Sequence, residues 1–222
     1  MSDELLLQGT YTDAVTLTEK GACMYDNRFK QLPKRNVSMS YYLQSYKYFQ
    51  HVEDQLRLDL TFKPNVLDKA NRWLKERTPV KWTTKEFWRV LIHVRRKDYT
   101  RPRYSGFGWQ TPTAEYFRRS TSYFIDCLEH VQFVVLSDDP AWCKKHIKAI
   151  DIVFSVGQEP IVDMAIASLC NHAIITLGSF GWWAAWFANG ITITPKNTPL
   201  KGSRLAKMLR WDDYFKPEWI AL

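Results

Sequence analysis

A cluster of charged side chains follows directly after an apolar run near the middle of the chain. Residues 90–99 read VLIHVRRKDY, and the apolar first half is typical of a buried strand. The strand leads into Arg95, Arg96, Lys97 and Asp98. Open α/β sheets bind ligands at the carboxyl ends of their strands, and guanidinium groups match phosphate oxygens. The segment therefore predicts a phosphate site, with a solvated basic strand end as the alternative.

A second polar turn follows the apolar run 133–136. It carries Ser137, Asp138 and Asp139, and an aspartate before Pro140 is typical of a helix N-cap. A hydroxyl or carboxylate at this place could also contact a base or a ribose. Two adjacent aspartates could instead hold a divalent metal, but hard cations usually need a third protein ligand, and the sequence offers none nearby.

A third turn reads GSFG at residues 178–181 and leads into a predicted helix over 180–188. Glycines in a strand-to-helix turn let backbone N–H groups approach a phosphate, and the helix dipole favours the anion. An ordinary tight turn is the alternative. Asp163 lies in the otherwise apolar segment 160–170, where a carboxylate needs a partner such as a guanine or an arginine.

Two features are better explained by packing than by chemistry. His93 lies on the apolar strand, where a lone histidine is more often a satisfied core group than a catalyst. Trp182, Trp183 and Trp186 fit one helix and are interpreted as core residues rather than as a stacking platform. The sequence also lacks GxSxG, HExxH and P-loop motifs, which argues against the corresponding hydrolases and nucleotide-binding enzymes.

The net charge of the chain indicates which kinds of ligand it could bind. The 222 residues carry 31 basic and 23 acidic side chains, a net charge of +8, which suits an anionic ligand such as a nucleotide. No basic stripe alternates with aromatic residues, so we do not expect a nucleic-acid partner.

The four cysteines show neither metal-site spacing nor a disulfide framework. Asn36 begins an Asn-Val-Ser glycosylation sequence, which matters only in a luminal protein.

The elements that must position these turns alternate between strand and helix from residue 87 onward. Strands are predicted over 89–95, 132–136, 151–155, 173–176 and 191–194, with helices between them that begin at Thr111-Pro112, Pro140, Pro160 and Phe180. Such alternation predicts an α/β fold with a parallel, Rossmann-like sheet and helices on both faces. An earlier helix is expected from Pro64 to Thr78-Pro79, where we place a domain boundary.

Residues 164–195 contain no charged side chain, a length that would suffice for a membrane-spanning helix. Glycines and polar residues divide this stretch into short pieces, so we interpret it as buried helices and strands. No signal peptide is expected at the start of the sequence, where only three consecutive leucines, residues 5–7, precede polar residues.

The three turns together resemble a known enzyme family. HVRRKDY at 93–99 resembles the His-x-Arg-Arg-x-Asp motif of α-1,2- and α-1,6-fucosyltransferases. The segments FVVLSDDPAWC at 133–143, DMA at 163–165, CNH at 170–172 and GSFGWWAA at 178–185 are similar to the α-1,2 family. QSYKYF at 44–49 resembles the aromatic segment that precedes this domain. Lys97 stands where the family commonly has glycine.

The resemblance implies a fold and a location. It implies a GT-B-like glycosyltransferase in which residues 79–222 form the Rossmann-like domain that binds GDP-fucose. Residues 1–78 are then the remnant of an incomplete N-terminal α/β domain on the acceptor side, because the glycine-rich first segment of the family and its Golgi membrane anchor are absent from this sequence. The implied location is the Golgi lumen or membrane, with membrane contact only through that missing anchor.

The resemblance also implies a reaction and its residues. The expected reaction is inverting, metal-independent transfer of fucose from GDP-fucose to the 2-hydroxyl of a galactose-terminated glycan, with no cofactor. A non-catalytic GDP-sugar-binding chain without acceptor binding is the alternative. Arg95 is expected on the β-phosphate and Asp98 as the catalytic base. The other expected donor contacts are His93, Arg96 (supporting electrostatics or the fold), Ser137, Asp138 and Asp163 at guanosine, and Ser179 and Phe180 at phosphate.

Overall fold

The computed structural model describes residues 14–40, 42–79, 82 and 86–222, and its strands form two parallel sheets. The smaller sheet pairs β1 (Val15–Thr18) with β2 (Val37–Ser40). The larger sheet contains β3 (Trp88–Val94), β4 (Val131–Ser137), β5 (Ile152–Phe154), β6 (His172–Ile174), β7 (Thr192–Thr194) and β8 (Ile220–Ala221). Its strand order is β5-β4-β3-β6-β7-β8, and every pair is parallel. The predicted parallel α/β sheet is therefore confirmed.

The helices begin where the local sequence favours a helix start. They are α1 (Glu53–Asp59), α2 (Pro64–Arg77), α3 (Pro102–Phe107), α4 (Ala114–Cys127), α5 (Pro140–His146), α6 (Pro160–Ser168), α7 (Ser179–Ala188), α8 (Arg204–Met208) and α9 (Trp211–Tyr214). Proline occupies the first turn of α2, α3, α5 and α6, where its missing N–H removes no helical bond. The predicted cap of α4 at Thr111 is wrong by two residues, because the Thr113 side chain accepts the Tyr116 N–H.

Both faces of the large sheet are buried, as a parallel sheet covered by helices requires. Successive residues of β3 point to opposite faces. Leu91 packs into a cluster with α2, α6 and α7, while Ile92 packs into another with α4 and α5. The tryptophans of α7 join the first cluster, which confirms that they are packing residues. Helices therefore cover both faces and leave the carboxyl edge of the sheet to its loops.

The first of these clusters also includes residues that precede position 78. Tyr46, Ala70, Trp73 and Leu74 are buried in the same cluster as Leu91, and α2 packs against α6. One hydrophobic core thus spans residue 78, while the division into an acceptor-side remnant and a nucleotide-sugar domain stays a prediction.

The charge-free stretch 164–195 forms the end of α6, then β6, α7 and β7, as expected for a buried segment. Among the residues that the structure describes, no helix is long and apolar enough to cross a lipid bilayer. The four cysteines are free, and three of them are buried. Asn36 is exposed directly before β2, and its glycosylation stays a prediction.

Candidate functional site

Parallel pairing brings the predicted site residues to one edge of the large sheet. β3 and β4 pair in a register that places Val94 beside Ser137, so the turns that follow these strands are neighbours. The loops after β3, β4 and β6 surround a cavity of about 690 Å³, which we call the strand-end cavity. The predicted residues that line it are His93, Arg95, Asp98, Ser137, Asp138, Asp163, Ser179 and Phe180.

Two carboxylates hold the guanidinium group of Arg95 at this cavity. Its Nη2 atom contacts Oδ2 of Asp98, and its Nη1 atom lies 3.3 Å from Oδ2 of Asp138. The Arg95 backbone N–H donates to Oγ1 of Thr176 at 2.9 Å, which ties the end of β3 to the segment after β6. The guanidinium is half-buried, so its fixed fork is accessible to a ligand in the cavity.

Asp138 and Ser137 brace the turn after β3. The Asp138 carboxylate accepts the backbone N–H groups of Arg96 and Lys97 at 2.9 and 3.2 Å. The Ser137 hydroxyl donates to the Val94 carbonyl at 2.9 Å and accepts the Asp139 N–H at 2.9 Å. Because these groups already have partners within the chain, their geometry gives them a positioning role at the cavity wall.

Arg96 points to a different place from Arg95. Its guanidinium lies 4.5 Å from the centre of the Trp142 ring, and its Nε atom lies 3.3 Å from Oδ2 of Asp139. Arg96 does not line the strand-end cavity. Support of the fold, one of the roles expected for Arg96, agrees with this geometry. Its contact with the donor stays a prediction.

Asp139 caps α5 by accepting the Trp142 N–H at 3.2 Å, as the sequence predicted. Asp138 and Asp139 thus serve different partners. Within the described residues, no group of three or more His, Cys, Asp or Glu side chains is placed to hold a metal ion.

His93 joins the end of β3 to the start of α7. Its ring is 5% exposed and stacks on Phe180 with 5.2 Å between ring centres. Burial, reinforced by the positive charge of Arg95, lowers the pKa of His93 to about 3, so the imidazole is neutral near pH 7. Its Nδ1 atom has no hydrogen-bond partner in the described part of the chain. The expectation of a satisfied core histidine is therefore wrong at this atom.

The N-terminus of α7 opens onto the same cavity. Gly178 precedes the helix with a φ of +135°, which disfavours any residue with a Cβ, and no side chain of the described residues caps this end. The first N–H groups of a helix have no partner within the helix. The side chain of Ser179 and the ring of Phe180 line the cavity. Backbone donors and the helix dipole therefore make this end suitable for an anion, in the cavity that Arg95 also lines.

Asp163 contributes a carboxylate with few partners. The Ser155 hydroxyl donates to its Oδ1 atom at 2.6 Å, and the side chain lines the cavity from the first turn of α6. Burial raises the pKa of Asp163, and the Ser155 bond offsets this only in part. A half-buried carboxylate with one neutral donor can accept further hydrogen bonds from a ligand.

Sequence reasoning missed the aromatic wall of the cavity. Tyr99 is buried and stacks on Trp109, with 4.4 Å between ring centres, and Tyr104 lies beside them. Tyr42 lines the cavity as well. The loop composition at 99–109, rich in aromatics and glycines, was the available signal, but it does not reveal which rings meet.

The sequence is similar to an enzyme family. The model of glycosyl transferase family 11 matches residues 22–222. Galactoside 2-alpha-L-fucosyltransferase SEC1 of Bos taurus is 30% identical over 89% of this chain and 54% of its own length. Galactoside alpha-(1,2)-fucosyltransferase 1 of Ateles belzebuth is 32% identical over 80% of this chain and 50% of its own length.

Galactoside alpha-(1,2)-fucosyltransferase 2 of Sus scrofa is 29% identical over 89% of this chain and 59% of its own length. The chain thus spans about half the length of the curated relatives it matches. Thermosulfurimonas dismutans KpsC, a beta Kdo 2,7 transferase of known structure, is 12% identical in sequence to this chain. The alignment covers 82% of this chain and 65% of the KpsC chain, with a TM-score of 0.34. This score is too low to indicate a shared fold. Since the family match covers nearly the whole sequence, the chain belongs to glycosyl transferase family 11.

Proposed function

We propose that this chain binds GDP-fucose in the strand-end cavity and supports transfer of fucose to the 2-hydroxyl of a galactoside. The observation that carries the proposal is that the fixed guanidinium of Arg95 and the open N-terminus of α7 line one cavity. Both groups suit a diphosphate. A cavity of about 690 Å³ is in the range of small-molecule sites, roughly 300–1,000 Å³.

The donor is proposed to lie with its diphosphate between Arg95 and the start of α7. Ser179 and the Phe180 amide contact phosphate oxygens. Asp163 accepts hydrogen bonds from the ring N–H and amino group of guanine, which offer two donors side by side, whereas uracil offers a single N–H donor. Asp138 acts through Arg95 by holding the turn after β3.

The proposed transfer is a single displacement with inversion. The acceptor 2-hydroxyl oxygen forms a bond to C1 of fucose while the bond from C1 to the β-phosphate oxygen breaks. The electron pair of the broken bond remains on GDP, and Asp98 takes the proton of the acceptor hydroxyl. Arg95 and the N–H groups of α7 stabilise the charge that grows on the leaving phosphate, so no metal ion is needed in this proposal.

The proposal also includes the GT-B arrangement, the division near residue 78 and a location in the Golgi. These parts are supported by the family resemblance alone, and the geometry of the cavity does not bear on them. Non-catalytic binding of a GDP-sugar is the second candidate. It uses the same donor contacts and differs only in lacking transfer, so formation of product separates the two.

The experiment measures donor binding and transfer separately. Calorimetry with the purified chain compares GDP, GDP-fucose, UDP and ADP, and we expect clearly tighter binding of the two guanosine ligands. Transfer is followed by NMR of the product from GDP-fucose and phenyl β-D-galactoside. Guanosine-selective binding without product favours the second candidate, and equal or absent binding of all four nucleotides contradicts both.

A further inference from the structure

A second cavity of about 520 Å³ adjoins the strand-end cavity. We call it the aromatic cavity. The two cavities share the turn at Gly178 and Ser179 and the rings of Tyr99 and Trp109. The shared turn is the start of α7, where the leaving diphosphate lies in the proposed function. A molecule in the aromatic cavity would therefore meet the reacting end of the donor.

The linings of the two cavities differ in charge. The strand-end cavity has three carboxylates, Asp98, Asp138 and Asp163, whereas no carboxylate lines the aromatic cavity in the described part of the chain. Arg103 is its cationic side chain, and it is exposed at the rim. This lining is unsuited to a cation and suits an uncharged molecule.

The interior of the aromatic cavity stays neutral. The Cys23 thiol donates to Oε1 of Gln44 at 3.3 Å, and burial raises the pKa of this thiol to about 12. Phe107, Leu205 and Met208 supply apolar surface deeper in the cavity. Apolar and aromatic surface thus exceeds the polar surface of this lining, which is typical of sites for ligands that have one apolar face.

The aromatic wall is held rigidly. Tyr99 and Trp109 stack nearly parallel, with 21° between their planes. α3 ends at Gly108 with a φ of +116°, and a Cβ at this glycine would overlap Ser203. The Gly108 carbonyl accepts the Leu200 N–H at 3.0 Å. The backbone that carries Trp109 is thus held by contacts within the chain, and its ring is stacked on Tyr99 without any ligand.

We propose that the aromatic cavity binds the acceptor glycoside. The C–H face of the sugar packs on the aromatic wall, and Arg103 and Gln44 donate hydrogen bonds to its hydroxyl groups. An aryl or alkyl aglycone extends toward Phe107 and Met208. The inference rests on the proposed function, since the contact with the donor at Ser179 gives the cavity its role in transfer.

The test uses phenyl β-D-galactoside as the probe. Arg103→Ala removes a rim donor that lines the aromatic cavity. Arg101→Ala is the matched control, because Arg101 is an exposed arginine two residues earlier that lines neither cavity. Ala22→Phe fills the cavity from its wall. Probe binding is measured by titration NMR with and without saturating GDP, and GDP binding is measured by calorimetry on every variant.

We expect Arg103→Ala to weaken probe binding about three- to tenfold and Ala22→Phe by roughly tenfold or more, with the GDP affinity of both unchanged. Arg101→Ala should match the wild type. Unchanged probe binding in folded Arg103→Ala and Ala22→Phe protein overturns the inference, as does a wild-type chain that does not bind the probe. If the wild-type chain does not bind GDP, the proposed function is contradicted instead. Failure of the proposed function and failure of this inference therefore give different results.

Discussion

The imidazole of His93 lies so close to Gly181 that a methyl group on the glycine would overlap its Nδ1 atom and stand 3.2 Å from Cγ and Cε1. Glycine at this position lets the first turn of α7 rest directly on the ring at the end of β3. Arg95 follows His93 by two residues, and both Arg95 and the start of α7 line the strand-end cavity. The contact therefore joins the two elements that carry the groups proposed to hold a diphosphate.

Gly181→Ala should destabilise the fold by about 1–3 kcal/mol, because the methyl group would push the buried ring of His93 out of its stacked position on Phe180. Alanine favours a helix over glycine by about 1 kcal/mol, so intrinsic propensity predicts the opposite sign. Chemical denaturation of the variant measures the free energy of unfolding and decides between the two.

Gly106→Ala is the matched control for this prediction. Gly106 also lies inside a helix, and a Cβ there meets nothing within 4 Å, so we expect no loss of stability. His93→Ala should relieve the overlap in the double variant, which makes the two substitutions non-additive. Equal stability of Gly181→Ala and the wild type would show that α7 can shift away from β3.

The sequence predicted the turns of the site but not all of their partners. Strand-helix alternation and the parallel pairing rule were sufficient to bring residues 93–98, 137–139 and 178–181 to one edge, because all carboxyl ends of a parallel sheet lie together. The ends of the five predicted strands lie within two residues of the ends of the observed strands β3, β4, β5, β6 and β7. These differences do not change which turns meet.

The direction of individual side chains could not be predicted in the same way. Arg95 and Arg96 have identical chemistry, and only the structure shows one at the cavity and the other over Trp142. Asp138 bonds to backbone groups more than forty residues earlier in the chain. Such contacts depend on the packed loops after the strands, and no local periodicity records them.

Asp163 should make GDP binding sensitive to pH. Burial raises its pKa above the ordinary aspartate value of about 3.9. If the ionised carboxylate accepts hydrogen bonds from guanine, GDP binds the deprotonated form more tightly. The affinity should then fall as the pH drops through the raised pKa, approaching tenfold per pH unit below it.

The check is a calorimetric titration series from pH 7 down to the limit of folding, with Asp163→Asn measured in parallel. The variant should bind GDP more weakly at pH 7 and lack the acid-dependent fall. Titration of the GDP phosphates affects both proteins equally and cancels in the comparison. Identical pH profiles for the two proteins would contradict the contact with guanine.

Removal of divalent metal should leave GDP binding unchanged. The positive charge proposed to face the diphosphate comes from Arg95 and the N-terminus of α7, both of which belong to the chain itself. Calorimetry with GDP before and after EDTA treatment measures the effect. A large loss of affinity that manganese restores would assign Asp138 or Asp139 to a metal instead.

Arg95 offers the sharpest test of the phosphate contact. A guanidinium can form two parallel charge-assisted hydrogen bonds with a phosphate, and these should strengthen as charge develops on the leaving oxygen. Lysine keeps the charge but loses the fork. Arg95→Lys should therefore weaken GDP binding modestly and slow transfer by roughly a hundredfold, since one such contact typically contributes about 3 kcal/mol to the barrier. Arg95→Ala should lose both binding and transfer.

The alternative is that Arg95 only stabilises the fold through its contacts with Asp98 and Asp138. That role predicts a lower melting temperature for Arg95→Ala while the folded protein keeps its affinity for GDP. Melting curves and GDP titrations on the same preparations separate the two explanations, and Arg96→Ala is the control because Arg96 lies outside the cavity. Among the described residues, Arg95 supplies the cationic side chain that lines this cavity. Wild-type GDP affinity in folded Arg95→Ala protein would therefore rule out the contact between Arg95 and the phosphate.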